Sequence, residues 1–119
     1  MSESEQPPAS WPETAEALMR SRFRAFRCRD AAWLLASWHP RTRPSEVRFD
    51  DDIVWRGLQI VDVVHGEPDD PEDIVEFRAT YVRRAGGASS AVSHGVQHER
   101  SRFVREHGRW FYLDGDILS

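Results

Sequence analysis

The dipeptide His107-Gly108 stands between two runs of alternating residues, 92–106 before it and 109–117 after it. A two-residue hairpin turn favours residues that tolerate positive φ at both central positions, so this pair reads as the turn and the two runs as its strands. Such a turn sets the register. Counting outward from it, Arg105 faces Trp110, Phe103 faces Tyr112, Ser101 faces Asp114 and Glu99 faces Asp116, all on one side of the sheet. Val104, Phe111, Leu113, Arg100 and Arg102 take the other side. The side with Phe103, Trp110 and Tyr112 is expected to face the helices, which turns Glu99 and Ser101 inward. A slip of one residue would reverse every one of these assignments.

The first third of the chain repeats with a helical period instead. Ser10-Trp11-Pro12-Glu13 has the form of a capping box with proline in the first turn, and Thr14 is a competing cap. From either start, a helix runs to about Cys28. At about 100° per residue, Leu18, Met19, Phe23 and Phe26 form one stripe with Ala15 inside it, while Arg20, Arg24 and Arg27 lie opposite. Arg22 does not join the other arginines. It falls between Leu18 and Phe26, near the edge of the apolar stripe. One reading is a guanidinium held in a cavity, paired with a carboxylate or offered to an anionic ligand. The others are a stem lying along the core with its head in water, and a structural ion pair, which is weak evidence of purpose.

Asp30 can cap a second helix over 31–38, ended by His39-Pro40. Ala31, Leu34, Leu35 and Trp38 share one face of it. Trp33 points the other way, toward the first helix or into a subunit contact. Residues 41–45 read as a link, and 46–55 as a short strand followed by a helical turn. The run 58–65 is rich in β-branched residues and reads as a strand. An acidic loop with two prolines follows over 66–73. Over 74–84 a strand places Val75, Phe77, Ala79 and Tyr81 on one face and Glu76, Arg78 and Thr80 on the other. Residues 85–90 form a turn, and Gly95 marks a bulge in the strand after it.

At 119 residues the chain can form one real core but not two. A mobile tail over 1–12 and a single domain over 13–119 follow. Five tryptophans and 39% hydrophobic residues argue for folding over disorder. A net charge of −4 argues against a polyanion binder, so no nucleic-acid partner is expected, even though all 16 basic residues are arginine. The single cysteine, Cys28, excludes an internal disulfide and a cysteine zinc cage. Arg27 and Arg29 beside it do not by themselves make it a nucleophile. His94 and His98 lie too far apart along a strand for easy joint ligation, and Asp50-Asp51-Asp52 lacks the pattern of a calcium loop. Neither a phosphate-binding glycine loop nor a nucleophile elbow is present. No metal and no cofactor are expected. Without a signal peptide or a long apolar run, no membrane association and a cytoplasmic location are the expectation.

Two helices followed by long strands make an α+β pattern, with the helices on one face of a curved sheet. The phrases AEALMRSRFRAF, LLASWHP, WRGLQIVD, VEFRATY, HERSRF and GRWFYLDGD, spread from Ala15 to Asp116, resemble the uncharacterised bacterial YchJ-like family. The resemblance implies a nuclear transport factor 2-like (cystatin-like) fold, in which helices and a bent, mostly antiparallel sheet enclose a conical cavity. Many members of that family also carry cysteine-rich SEC-C zinc motifs at one or both ends. Here 1–12 holds no cysteine and the sequence stops soon after the last strand, so zinc binding is not carried over. The resemblance brings no established activity.

In such a cone Arg22 and Glu99 can meet, Ser101 and Tyr112 supply hydroxyls, and Trp55 and Phe103 form apolar wall. An apolar pocket with a few converging polar groups is the form of a small-ligand site. The expectation is therefore a non-enzymatic domain binding an unknown small molecule or protein, with a homodimer through the exposed sheet face. A second reading is an isomerase or hydrolase using Glu99 or Asp114 as general base, although fold analogy alone is not a site. A third is a protein-interaction module docking through Trp33 or through Arg100 and Arg102.

Overall fold

The computed structural model describes residues 10–65, 71–84 and 92–118. Helix α1 (Ala15–Cys28) begins at Thr14, whose hydroxyl accepts from the Ala17 backbone N–H, so the competing cap prevails over Ser10. It ends at Arg29 in the left-handed conformation (φ 61°), with the Arg29 N–H donating to the Ala25 carbonyl. Its stripe is buried as the periodicity predicts: Ala15, Leu18, Met19 and Phe23 lie in the core. Helix α2 (Ala31–Ala36) is capped by the Asp30 carboxylate.

That second helix is two residues shorter than its pattern predicts. Trp38 leaves the helix to form a parallel bridge with Tyr112. The Tyr112 N–H donates to the Ser37 carbonyl (2.9 Å), and the His39 N–H donates to the Tyr112 carbonyl (2.8 Å). Those bonds occupy an edge strand that would otherwise present open backbone groups. Trp33 takes the first of its two predicted places. It is buried against α1, and its indole N–H donates to the Ser21 hydroxyl (3.0 Å).

Four strands follow as an antiparallel meander in sequence order: β1 (Ile53–His65), β2 (Glu72–Arg84), β3 (Val92–Glu106) and β4 (Arg109–Ile117). β1 starts earlier than its β-branched run suggests and takes in Trp55, so the helical turn expected over 46–55 is reduced to a single hydrogen-bonded turn before the strand, with the Ile53 N–H donating to the Asp50 carbonyl (3.1 Å). Its pairing with β2 shifts register between Trp55 and Gly57 and again between Ile60 and Asp62. On β2, Val75, Phe77 and Ala79 are buried, as alternation predicts. Gly95 is not a bulge, because it pairs with Tyr81 in unbroken register. What it provides is space: a β-carbon there would sit 2.7 Å from Tyr81 Cε1. The expected turn over 85–90 and most of the acidic loop lie outside the described residues, as do 1–9 of the expected tail. Trp11, within that tail, packs edge-on to Trp33 (centroids 4.9 Å apart), and its indole N–H donates to the Trp110 carbonyl (2.7 Å).

The β3–β4 turn has positive φ at both His107 (53°) and Gly108 (77°), and the pairs next to it are those counted from sequence: Arg105 with Trp110 and Phe103 with Tyr112. Beyond Phe103 the count fails. A bulge places Arg102 opposite Asp114, Ser101 opposite Gly115, Arg100 opposite Asp116 and Glu99 opposite Ile117. The physical reason is electrostatic. The uncorrected register would set Asp114 and Asp116 beside Glu99 inside the cone, a cluster of like charges. The bulge brings both aspartates to Arg102 instead.

The core lies between α1, α2 and the concave face of the sheet. It includes Leu18, Phe23, Leu34, Val75, Phe77, Phe103 and Trp110. Each large apolar side chain fully buried there stabilises the fold by about 1.5–3 kcal/mol. On the opposite face, Glu76 accepts from His98 (2.7 Å) and from Arg100 (2.8 Å).

Candidate functional site

Between α1 and the concave sheet face lies a cavity of about 130 Å³, partly open to solvent. Helical spacing on α1 brings Met19, Arg22, Phe23 and Phe26 to its wall, and the period-two spacing of β3 brings Gln97 and Glu99. Trp38, Trp55, Phe77, Ala79 and Tyr112 complete it. Of the six residues predicted for a site, Arg22, Trp55, Glu99 and Tyr112 line this cavity. Ser101 and Phe103, both 0% exposed, sit behind the wall as its support.

Arg22 is 3% exposed. Its Nη1 donates to the Leu34 carbonyl (2.9 Å) and to the Ser37 hydroxyl (2.7 Å), so α1 grips α2 through this one nitrogen. The guanidinium carbon lies 4.4 Å from the Tyr112 ring centroid and 5.0 Å from that of Trp38, within cation–π range of both. Burial lowers its pKa to about 10, opposed by the neighbouring Tyr112 and Glu99, so it remains a cation at neutral pH. The remaining N–H donors of Arg22 have no partner among the described residues.

Arg22 and Glu99 share the cavity without a contact ion pair. The Glu99 carboxylate accepts instead from the Ser101 hydroxyl (2.6 Å) and the Tyr112 hydroxyl (3.3 Å) at Oε2, and from the Gln97 amide (3.1 Å) at Oε1. Three converging donors are the surroundings of an anion. Burial, and then the Glu99 charge, push the Tyr112 phenol well above its ordinary value of 10.0, so it stays a neutral donor. Phe103 meets the Tyr112 ring edge-on (5.6 Å) and holds it against the carboxylate.

Three contributors escape a reading of the sequence. Gln97 is two residues from Glu99 on the same strand face, a relation that the alternation contained. Trp38 arrives by leaving its helix, which no local pattern signals. Its Nε1 is buried without a hydrogen-bond partner, and the ring is placed instead by Arg22 and by an edge contact with Tyr112 (5.1 Å). Gly115 lies across from Ser101, and a β-carbon there would sit 3.0 Å from Glu99 Cδ. Asp114, the alternative base, lies on the outer face with Arg102.

Among the described residues, no group of three or more histidine, cysteine, aspartate or glutamate side chains is placed to hold a metal ion, and no helix is long and apolar enough to cross a membrane.

A helix layer on an open four-stranded antiparallel sheet, with a mostly aromatic-walled cavity between, defines an α+β domain of the nuclear transport factor 2-like class. Residues 14–115 match the family model described as YchJ, middle NTF2-like domain, and the chain belongs to that family. A UPF0225 protein of Streptomyces coelicolor is 47% identical over 105 residues, covering 88% of this chain and 76% of its own length. A UPF0225 protein of Chromobacterium violaceum is 42% identical over 112 residues, covering 92% and 78% respectively. Among solved structures, a SEC-C motif containing protein from Rhodopseudomonas palustris superposes with a TM-score of 0.68. It is 27% identical and matches 90% of this chain and 80% of its own.

Proposed function

We propose that this domain binds a small molecule in the cavity between Arg22 and Glu99, without transforming it. The observation that carries the reading is a cavity of about 130 Å³ whose mostly aromatic wall holds one cation and one carboxylate. Both charged groups are oriented by hydrogen bonds within the chain, as preorganised binding groups are. Glu99 is held by three donors, which suits an anchor better than a group that must take up and release a proton. The interaction-module reading has less support, since Trp33 is buried and Arg100 and Arg102, though part-exposed, are paired within the chain. The second reading, catalysis with Glu99 as general base, draws on one observation: the carboxylate lines the cavity beside the Tyr112 hydroxyl.

Native mass spectrometry of protein purified gently from its own host tests the proposal. A bound small mass is expected on the wild type and not on Ala79→Leu, which fills the cavity without altering a charge. Equal retention of that mass by both proteins would place the ligand elsewhere. Turnover of small ketones or epoxides, lost in Glu99→Gln, would favour the catalytic reading.

A further inference from the structure

We infer that the ligand of this cavity is an uncharged molecule about one ring in size, bearing a carbonyl-type acceptor and an N–H or O–H donor. The inference rests on the binding reading above and narrows it to a chemical class.

Size is the first constraint. An apolar cavity of about 150 Å³ is enough for benzene, and this one, at about 130 Å³, is smaller and partly open to solvent. A single ring with a small substituent at the mouth is the natural occupant. The walls favour a flat one, because Phe23, Trp55 and Phe77 present rings against which another ring can stack or meet edge-on.

Charge is the second constraint. Among the described residues the charged side chains in the wall are Arg22 and Glu99, one of each sign; Gln97 and Tyr112 contribute polar groups without net charge. The cavity is therefore balanced when empty. A carboxylate ligand would leave it one negative charge in excess, and an ammonium or amidinium ligand one positive charge in excess. A net charge in a largely desolvated space is costly. A neutral occupant leaves the balance intact.

Hydrogen bonding is the third. Among the described residues both hydrogen bonds made by Arg22 leave from Nη1, which leaves its other N–H groups open to an acceptor. Among the described residues Glu99 Oε1 accepts only from Gln97, whereas Oε2 already takes two hydroxyls, so Oε1 can accept one donor more. An amide, a lactam or a related group supplies both halves without adding charge.

Three probes of nearly equal shape separate the possibilities: benzamide, benzoate and benzamidinium, titrated into the full chain with affinity read by ligand-observed NMR. Wild-type protein is expected to bind benzamide at least tenfold more tightly than either ion. In Glu99→Gln, Arg22 is left unbalanced and benzoate is expected to become the tightest. In Gln97→Glu the balance shifts the other way and benzamidinium is expected to lead, which keeps the test intact if one variant fails to fold. Wild-type preference for either ion, or an order unchanged in both variants, would overturn the inference while leaving the binding reading standing. Absence of binding by all three probes to wild-type protein, with the native ligand mass also absent, would remove the binding reading itself.

Discussion

Gly115 stands so close to Glu99 that a β-carbon in its place would overlap Glu99 Oε2 and approach the Ser101 hydroxyl to 3.1 Å. The carboxylate has its position because β4 has no side chain there. Gly115→Ala should therefore displace Glu99 and destabilise the domain by about 1–3 kcal/mol, the usual cost of overpacking. Urea denaturation measures the loss, and benzamide binding should fall in step with it. Gly108→Ala is the control. It meets nothing within 4 Å but holds φ at +77°, so it should cost about 1 kcal/mol through backbone strain and leave binding unchanged. Wild-type stability and probe binding in Gly115→Ala would mean that Glu99 is not held as described.

Arg22 joins the two helices. Arg22→Ala removes the donor for the Leu34 carbonyl and the Ser37 hydroxyl and opens space beneath Trp38. A loss of about 3 kcal/mol is expected, since buried groups lose their partner and packing is lost with it. Ser37→Ala should cost about 1–2 kcal/mol, because the same hydroxyl also donates to the Trp33 carbonyl (2.7 Å). The double variant should lose less than the two losses added, by roughly 1 kcal/mol of coupling. Strict additivity would show that the bond between them contributes nothing.

The sequence was informative wherever a local rule decides the outcome. Thr14 and Asp30 cap because their side chains reach backbone N–H groups of the first turn, and His107-Gly108 turns because both accept positive φ. Arg22 stood out because it interrupts an apolar stripe, and Glu99 and Tyr112 followed from counting outward from the turn. Counting failed at the bulge past Phe103, since pairing one to one is an assumption that a single extra residue breaks. The clue was present in Asp114-Gly115-Asp116: an inward Glu99 tolerates a glycine as neighbour but not two carboxylates. Trp38 reaches the cavity through tertiary packing, which helical period does not encode. In the cone expected from sequence Arg22 and Glu99 can meet, yet each finds hydrogen-bond partners nearer in the fold.

The outer sheet face should govern stability in acid. His98 first, with Arg100, holds the Glu76 carboxyl below its ordinary value of 4.5, and Arg102 holds Asp116 below 3.8. Each group binds its proton more weakly when folded than when unfolded. The unfolded chain then gains protons first as pH falls, so the stabilisation is present above these ordinary values and is lost as pH drops through the lower folded ones. Thermal midpoints measured from neutral pH downward should decline below about pH 4.5. Glu76→Gln and Asp116→Asn should each begin lower and decline less steeply. Parallel curves for wild type and both variants would show that these pairs are not coupled to folding.

Tyr112 gives the opposite limb of the pH profile, and it reports on the cavity itself. Its folded value is raised above 10.0, first by burial and then by the Glu99 charge. The unfolded chain therefore loses this proton before the folded one does, so the stabilisation is complete below pH 10.0 and is lost as pH rises past it. Tyr112→Phe should lose about 1 kcal/mol at neutral pH with the hydroxyl bond to Glu99, yet its stability should fall less between neutral pH and strong alkali. The tyrosinate absorbance of Tyr112, taken as the difference between wild type and Tyr112→Phe, should appear only as the domain unfolds. Ionisation of Tyr112 in the folded domain near its ordinary value would mean that the ring is open to water and Glu99 is not beside it. A neutral ligand filling the cavity should move the alkaline transition upward, because it binds only the form in which Arg22, Tyr112 and Glu99 are in place.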